Sequence, residues 1–202
     1  MFLIIEHTRT IKMVIEEDLK KFFKKIDSTN YVIMRNFDNI LKDINNGGDI
    51  DILISNKEDF IRNSDAKALN DDKDCFNYKV TIGDHEIPMD IRIIGDNYYD
   101  EKWERNMIKQ RIKRDFFYCL DDQDFKYSVL YHCLFHKGSI PRKYVAFLTD
   151  NFGDDLRKRN LIMILGRYLK SAGYAVPTPI DQGVYFNKRN YRIYFLWNII
   201  HR

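Results

Sequence analysis

The feature that most constrains this chain is a glycine turn followed at once by an alternating strand with two acids. Gly47 and Gly48 precede a run in which Asp49 and Asp51 alternate with isoleucines. Side chains two residues apart in a strand point to the same face, so the two carboxylates are expected to project together while the isoleucines enter the core. Mg²⁺ takes oxygen ligands and commonly uses one or two carboxylates plus substrate phosphates. The stretch therefore predicts a divalent-metal site.

A second segment, residues 87–94, repeats this pattern. Asp90 and Arg92 fall on one face of the predicted strand, and apolar side chains fall on the other. If the two strands are neighbours, Asp90 becomes a third carboxylate at the same site, where two ions about 3.5–4 Å apart can activate an attacking oxygen and stabilise a leaving one. Asp49, Asp51 and Asp90 are thus the predicted metal ligands and catalytic residues, with Mg²⁺ as the cofactor and Mn²⁺ as a substitute.

A bare Asp-x-Asp triplet is weak evidence, because Asp is common in turns and at strand ends. The metal site is favoured by the combination of the Gly-Gly turn, the buried alternation and the second Asp-bearing strand. Arg35, at the end of the strand-like run 31–36, and Arg92 are suited to bidentate contacts with phosphate. Lys137 is a candidate for a phosphate or acceptor contact, although a solvated basic surface explains it as well.

Composition sets broad limits on the class of protein. The chain has 202 residues, 45% of them hydrophobic, so it can bury a core, and its net charge of +3 does not suggest nucleic-acid binding. Three widely spaced cysteines without a Cys-x-x-Cys pair predict reduced thiols. The apolar run Phe2 to Ile5 is too short for a signal segment, and no stretch approaches about 18 uninterrupted apolar residues. We expect a cytoplasmic protein without a membrane span.

The spacing of apolar residues predicts an α+β chain in two parts. A first helix is expected from Val14 to Ile26, followed by a mixed sheet that includes the two acidic strands. After Asp100 the pattern becomes helical, with helix starts predicted at Asp100, at Asp121 or Asp122, at Pro141 and near Asp154. The segments 183–186 and 191–197 are β-type in composition. The predicted organisation is a core over 1–112 and a mainly helical lobe over 113–202 with a short β tail.

The stretch Gly47-Gly48-Asp49-Ile50-Asp51-Ile52-Leu53, with Asp90 on a neighbouring strand, resembles the nucleotidyltransferase superfamily that includes polymerase β. In that family a Gly-Gly or Gly-Ser turn precedes an acidic pair, and a third acid lies on a later strand. The resemblance covers residues 30 to 95. Family members place a spacer of several residues between the turn and the acids, whereas here the two abut.

The resemblance implies a nucleotidyltransferase-like mixed sheet, two Mg²⁺ ions held by the three acids, and a nucleotide or nucleotide-activated donor. Under this interpretation Gly47, Gly48, Arg35, Arg92 and Lys137 would bind the donor. The segments "RNFD…GDIDILI", "DIRIIGDNYYDEKW" and "LYHCLFHKGSI" look more like members associated with surface-glycan synthesis, similar in kind to the fukutin and choline-phosphate transferase group. The predicted enzyme is a metal-dependent nucleotidyltransferase or related phosphotransferase with a glycan or small hydroxyl acceptor.

Two alternatives remain from the sequence. The first is a non-catalytic nucleotide- or glycan-binding module on the same scaffold. The second is a glycosyltransferase with an Asp-x-Asp motif, which normally needs a larger nucleotide-binding domain. His132 and His136 have zinc-compatible spacing but lack the HExxH glutamate, so helix packing or hydrogen bonding is favoured for them. Tyr98, Tyr99 and Trp103 could stack on a base or sugar, although core packing is the commoner role.

Overall fold

The structure is a computed structural model that describes residues 16–69 and 76–200. The apolar run at residues 2–5, the first two apolar positions of the predicted first helix (Val14 and Ile15) and Cys75 lie outside these residues. Backbone contacts divide the chain into two compact units. The first comprises the residues up to Ile94 together with Arg105–Leu120, and the second comprises Gly95–Glu104 with the residues from Asp121 onward.

The first unit is built on a mixed β-sheet flanked by helices. Its described elements are helix α1 over residues 16–25, strand β1 (Tyr31–Ile33), a 3-10 turn (Phe37–Asn39), helix α2 (Ile40–Asn45), strand β2 (Ile50–Ile54), helix α3 (Lys57–Ser64) and strands β3 (Lys67–Ala68), β4 (Asn77–Ile82), β5 (His85–Ile93), β6 (Ile112–Arg114) and β7 (Phe117–Cys119). The seven strands lie in the order β3-β4-β5-β2-β1-β7-β6. Helix α4 (Glu101–Gln110) has residues in both units.

The centre of the sheet is a parallel pair, β2 beside β5, and the neighbouring strands run antiparallel to it. Strand β1 pairs antiparallel with β2, and β4 pairs antiparallel with β5. Pairing between β2 and β5 begins at Ile50 opposite Met89, one residue after Pro88. Because proline has no N–H to donate, Pro88 is accommodated where β5 is paired on one side only, as expected for this residue.

In the first unit, most of the apolar residues whose spacing predicted a helix or a strand are buried. Leu19, Phe22, Phe23 and Ile26 are buried on one face of α1 and the turn after it, which confirms the helical periodicity within the described residues. All five residues of β2 are buried, so the predicted alternation lies in a strand covered on both faces. The helix predicted from Lys57 is α3, and it begins with Asn56 accepting from the Asp59 N–H.

The second unit is helical and has an aromatic core. Helices α5 (Asp122–Phe135), α6 (Arg142–Phe152), α7 (Lys158–Ala172) and α8 (Lys188–Ile200) follow one another in the chain. Asp121 accepts from the Asp124 N–H and caps α5, while Asp100 accepts from the N–H groups at the start of α4, as the sequence predicts. The Trp103 indole is buried, donates to Asp124 and stacks on Tyr174 at 5.4 Å between ring centroids.

The predicted β tail is wrong. Residues 191–197 lie within helix α8, and residues 183–186 are turn and coil. Asn190, Tyr194 and Trp197 are buried at spacings of four and three residues, so the helix satisfies its tertiary contacts although its composition is β-type. Asn187 accepts from the Asn190 N–H at 3.1 Å and thus caps the N-terminus of α8, as Asn commonly does.

At the coarse level the predicted fold class is confirmed: a seven-stranded mixed sheet with helices is followed by C-terminal helices. The structure adds α2 and the hairpin of β6 and β7, which the sequence pattern does not indicate. Within the described residues, no helix is both long and apolar enough to cross a bilayer. The domain boundary expected at residue 112 stays a prediction.

Candidate functional site

Asp51 and Asp90 lie directly opposite each other on the central pair of strands. Their Cα positions are partners in the parallel register of β2 and β5, with Ile50 opposite Met89 before them and Ile52 opposite Ile91 after them. The two acidic strands are therefore adjacent, as the metal hypothesis requires. Asp51 is buried and Asp90 is half-buried, so two carboxylates converge at the protected middle of the sheet.

Arg35 binds the Asp51 carboxylate through two nitrogens of its guanidinium group. Its Nε donates to Oδ2 of Asp51 at 3.2 Å, and its Nη2 contacts Oδ1 in a short ion pair. The antiparallel register of β1 and β2 sets this contact, because Met34 donates its N–H to the Asp51 carbonyl and Arg35 follows directly. Both side chains are buried, so the ion pair is desolvated and has strict geometric requirements.

Asn36 is a contributor that the sequence reasoning did not identify. Its Nδ2 lies 3.5 Å from Oδ2 of Asp51, and its backbone has a φ of 59°. Asn is one of the few residues that adopt this left-handed conformation readily, so an Asn at the end of the strand-like run 31–36 is the signal that the sequence offers. The bend at Asn36 turns the chain into the 3-10 turn Phe37–Asn39.

Arg92 pairs with Asp90 on the same strand. Its Nη2 lies 2.7 Å from Oδ1 of Asp90, and its guanidinium carbon lies 5.0 Å from the centroid of the Phe76 ring. This oxygen of Asp90 is thus paired with Arg92. Asp90 is half-buried, so the ion pair offsets part of the cost of placing its charge there.

The electrostatic environment of Asp90 shows that the two acids influence each other. Burial raises the pKa of Asp90 above its ordinary value; Arg92 opposes that rise, the nearby Asp51 carboxylate adds to it, and Arg35 opposes it. A cation placed beside Asp90 would favour its ionised form and remove part of this cost. Two acids and two guanidinium groups make the cluster of Arg35, Asp51, Asp90 and Arg92 formally neutral.

Gly47 and Gly48 end helix α2. Gly47 donates its N–H to the Ile44 carbonyl at 2.9 Å, and Gly48 donates to the Asp43 carbonyl at 2.8 Å. Gly47 has a φ of 77°, and a Cβ on Gly48 would lie 2.8 Å from the Asp43 oxygen, so neither position accepts a side chain without strain. Both N–H groups are already engaged, and a phosphate could reach them only if this turn opened.

Two further predicted site residues, Asp49 and Lys137, are exposed. Asp49 precedes β2 and is exposed, and Lys137 is an exposed residue of the second unit, directly after α5. Among residues 16–69 and 76–200, no three Asp, Glu, His or Cys side chains are grouped closely enough to hold a metal ion together. The structure thus joins two of the three predicted acids with both predicted arginines.

The histidines and aromatic residues considered as site candidates belong to the core of the second unit. The Tyr98 hydroxyl lies 3.0 Å from Nδ1 of His132, and His136 is buried with its ring 4.1 Å from that of Tyr98. Tyr99 and Trp103 are fully buried. Hydrogen bonding and packing are therefore the roles that the structure shows for His132 and the aromatic side chains.

Comparison with known proteins finds no matching family model, no matching curated protein and no matching solved structure. The function of the site is therefore inferred from the geometry of its own residues. Paired carboxylates beside guanidinium groups can hold a cation and an anionic oxygen next to each other, which is the arrangement that phosphoryl chemistry uses.

Proposed function

We propose that this chain is a Mg²⁺-dependent transferase that moves a nucleotidyl or phosphoryl group from a nucleotide-activated donor to a glycan or small hydroxyl acceptor. The observation that carries the proposal is the in-register placement of Asp51 and Asp90 on adjacent parallel strands. Transfer of this kind is catalysed mainly by positioning and charge neutralisation, so two or three acids and a few cationic side chains are enough.

The residues at the site fit a divalent cation in part. Asp90 offers Oδ1, which Arg92 contacts in an ion pair, and burial disfavours an unbalanced negative charge on this carboxyl group. Asp51 is held by Arg35, so binding of metal to Asp51 would exchange that contact for one with the ion. Asp49 is exposed beside the start of β2, where it can complete the ligand set from solvent. When bound, Mg²⁺ would neutralise charge on the donor phosphates.

The two arginines have a consistent role in this proposal. Each is buried against a carboxylate, and each has a planar guanidinium group that binds phosphate oxygens with two N–H groups. When the donor and cation arrive together, Arg35 would exchange a carboxylate for a phosphate partner while the total charge of the cluster stays balanced. The acceptor hydroxyl loses its proton during transfer, and Asp90 would either hold a cation or accept this proton, because a bound cation lowers the pKa of the carboxyl and weakens it as a base.

The test is metal- and nucleotide-dependent stabilisation followed by an assay for transfer. Mg²⁺ or Mn²⁺ with CTP, ATP or UTP should raise the melting temperature of the wild-type chain, since a ligand at 100 times its Kd contributes about 2.7 kcal/mol. Asp49→Asn and Asp90→Asn should lose most of that gain and all transfer. Glu58→Gln, at an exposed position on α3, is the matched control and should behave like wild type.

Asp49 and Asp90 are better positions for substitution than Asp51. Asp51→Asn would leave the buried Arg35 without its carboxylate and would destabilise the fold as well as the site. A wild-type melting temperature that ignores every metal and nucleotide would contradict the proposal. Unchanged transfer by Asp90→Asn, once a substrate pair is known, would also contradict it.

A second candidate function is supported by the two ion pairs. Because Arg35 and Arg92 already pair with Asp51 and Asp90, the charges of the cluster are balanced without a metal, which fits a non-catalytic module that binds a nucleotide or glycan. Stabilisation by nucleotide that is equal with Mg²⁺ and with a chelator, and that occurs without turnover, would favour this module over the transferase.

A further inference from the structure

Helix α8 has a continuous exposed face that changes in character along its length. Lys188, Arg189 and Arg192 are exposed in its first half. Four large apolar side chains are exposed in its second half: Phe195, Leu196, Ile199 and Ile200. At 100° per residue these seven positions fall within one side of the helix. We call them the α8 face.

The opposite side of α8 is fixed against the second unit. Asn190, Tyr194 and Trp197 are buried, and Asn190 donates to the Leu134 carbonyl at 2.7 Å. A Cβ added to Gly166 on α7 would lie 2.4 Å from the Trp197 ring, so the two helices are in close contact there. Rotation of α8 to bury its apolar residues would break these contacts. The α8 face is therefore held outward.

The last two helices carry basic residues and no acidic ones. Helices α7 and α8 together contain seven Lys or Arg residues and no Asp or Glu, whereas the whole chain has a net charge of only +3. The rest of the chain is therefore net negative. Along the α8 face, exposed apolar side chains adjoin exposed cations, and these are the two kinds of side chain through which an interfacial helix contacts an anionic membrane.

We propose that the α8 face docks on the surface of an anionic lipid bilayer. Phe195, Leu196, Ile199 and Ile200 would enter the boundary between headgroups and acyl chains, while the basic residues of the first half contact lipid phosphates. The helix lies along the surface and does not cross it, in keeping with its 13 residues.

The chemistry of the face disfavours the other occupants. A second copy of the chain would bring the same cations to the interface and no acids from α7 or α8 to pair with them. A nucleic acid would satisfy the cations but leave aliphatic side chains against a polar surface; single-strand binders use aromatic stacking instead, and Phe195 is the one aromatic member of the α8 face.

The test is co-sedimentation of the full chain with vesicles of phosphatidylcholine alone or with about 30% phosphatidylserine, a lipid that gives a negative surface. We expect the partition coefficient to be at least about tenfold higher on the anionic vesicles, since three basic residues near such a surface contribute additively. Raising the salt to about 1 M should abolish most of that difference, because the Debye length falls to about 3 Å.

Variants locate the contact. Leu196→Glu combined with Ile199→Glu should abolish binding to both kinds of vesicle, and Lys188→Gln with Arg189→Gln and Arg192→Gln should remove the preference for anionic lipid. Val145→Glu, at an exposed apolar position on α6, is the matched control and should bind like wild type. If the double variant does not fold, Ile200→Glu reports on the most exposed position of the face, at 77%.

Absence of wild-type binding to any vesicle would overturn the proposal. Vesicle binding that the α8 variants leave unchanged would do the same. Self-association or RNA binding that these variants remove, without lipid binding, would assign the face to a second copy or to a nucleic acid and would also overturn it.

Discussion

At the scale of single residues, the buried contact between Arg35 and Asp51 decides how the candidate site behaves. Removing one partner of a buried ion pair leaves an uncompensated charge in a poorly solvated place, which costs far more than breaking a surface pair. Under the proposed function, the same contact would compete with a metal for the Asp51 oxygens, and stability and metal binding would then be coupled through one guanidinium group.

Replacement of this arginine gives a prediction at that scale. Arg35→Gln should lower the free energy of unfolding by about 3–5 kcal/mol, as measured by chemical denaturation. Arg62→Gln, which breaks an exposed pair with Asp59 on α3, should cost about 0–1 kcal/mol and is the control. If Asp51 binds metal, Mg²⁺ should stabilise Arg35→Gln more than wild type. Equal stabilisation of Arg35→Gln and wild type by Mg²⁺ would show that the Arg35–Asp51 ion pair does not compete with metal binding.

A second residue-scale prediction concerns the buried carboxyl of Glu104. Burial and the neighbouring Asp96 carboxylate raise the pKa of Glu104 to about 8, although the N–H groups of Gly95 and Tyr99 oppose the rise. The folded chain thus retains a proton that the unfolded chain releases near pH 4.5. This contribution to stability is fully present below that pH and is lost as the pH rises towards about 8.

The measurement is the free energy of unfolding against pH for wild type and Asp96→Asn. Removing the Asp96 charge removes the second-largest cause of the raised pKa, so the decline in stability of the variant should be shallower. Parallel curves for the two proteins would show that Asp96 does not act on Glu104.

Individual contacts of the site were less predictable than the residue types in it. The strand alternation correctly indicated that Asp51 and Asp90 could meet, because side-chain direction in a strand follows from sequence alone. The choice of Arg35 as the partner of Asp51 depends on the register between β1 and β2, which tertiary packing sets. The resemblance implies that Gly47 and Gly48 bind the donor, which stays a prediction; in the structure their N–H groups end helix α2, a short helix that the sequence pattern does not indicate.

At the scale of elements, predictability followed the strength of local signals. Asp100 and Asp121 mark the starts of α4 and α5 because a side-chain cap acts within three residues. Strands β6 and β7 have three residues each, which is too few for an alternating apolar and polar pattern to be recognised in the sequence. Helix α8 was mistaken for strand because its aromatic and β-branched residues favour sheets locally, and packing overrides that preference.

The close contact of α7 with α8 gives an element-scale prediction. Gly166→Ala should raise helix propensity, yet its Cβ would meet the Trp197 ring at 2.4 Å and force the helices apart. We expect a net loss of about 1–3 kcal/mol in the free energy of unfolding, because overpacking outweighs propensity. Gly138→Ala meets its nearest neighbour, Tyr185, at 3.9 Å and serves as the control. A stabilised Gly166→Ala would show that the contact relaxes freely.

At the scale of the whole molecule, each of the two units is built from two separate stretches of the chain. The second unit includes Gly95–Glu104, and the first unit then resumes with Arg105–Leu120. The chain passes between the units three times, at residues 94–95, 104–105 and 120–121, and no Pro-, Gly- or Ser-rich linker marks these points. A discontinuous unit of this kind leaves no change in composition by which a sequence could reveal it.

Cutting the chain tests the boundary predicted at residue 112. A fragment of residues 113–202 lacks Trp103, which is fully buried and donates to Asp124 at 2.7 Å. Loss of a buried tryptophan costs about 3–5 kcal/mol, against a typical total stability of about 5–15 kcal/mol. We expect no cooperative thermal transition by circular dichroism for this fragment, whereas residues 95–202 should give one. A cooperative transition for 113–202 would support the boundary at 112.

The positions of the two tryptophans make them selective optical probes. The chain has two, Trp103 and Trp197, and both belong to the second unit. Indole emission during denaturation therefore reports directly on the helical unit, while the amide signal in the far ultraviolet includes the sheet. Coincidence or separation of the two curves would show whether the β-sheet and the helices lose their structure in one step, without any label or substitution.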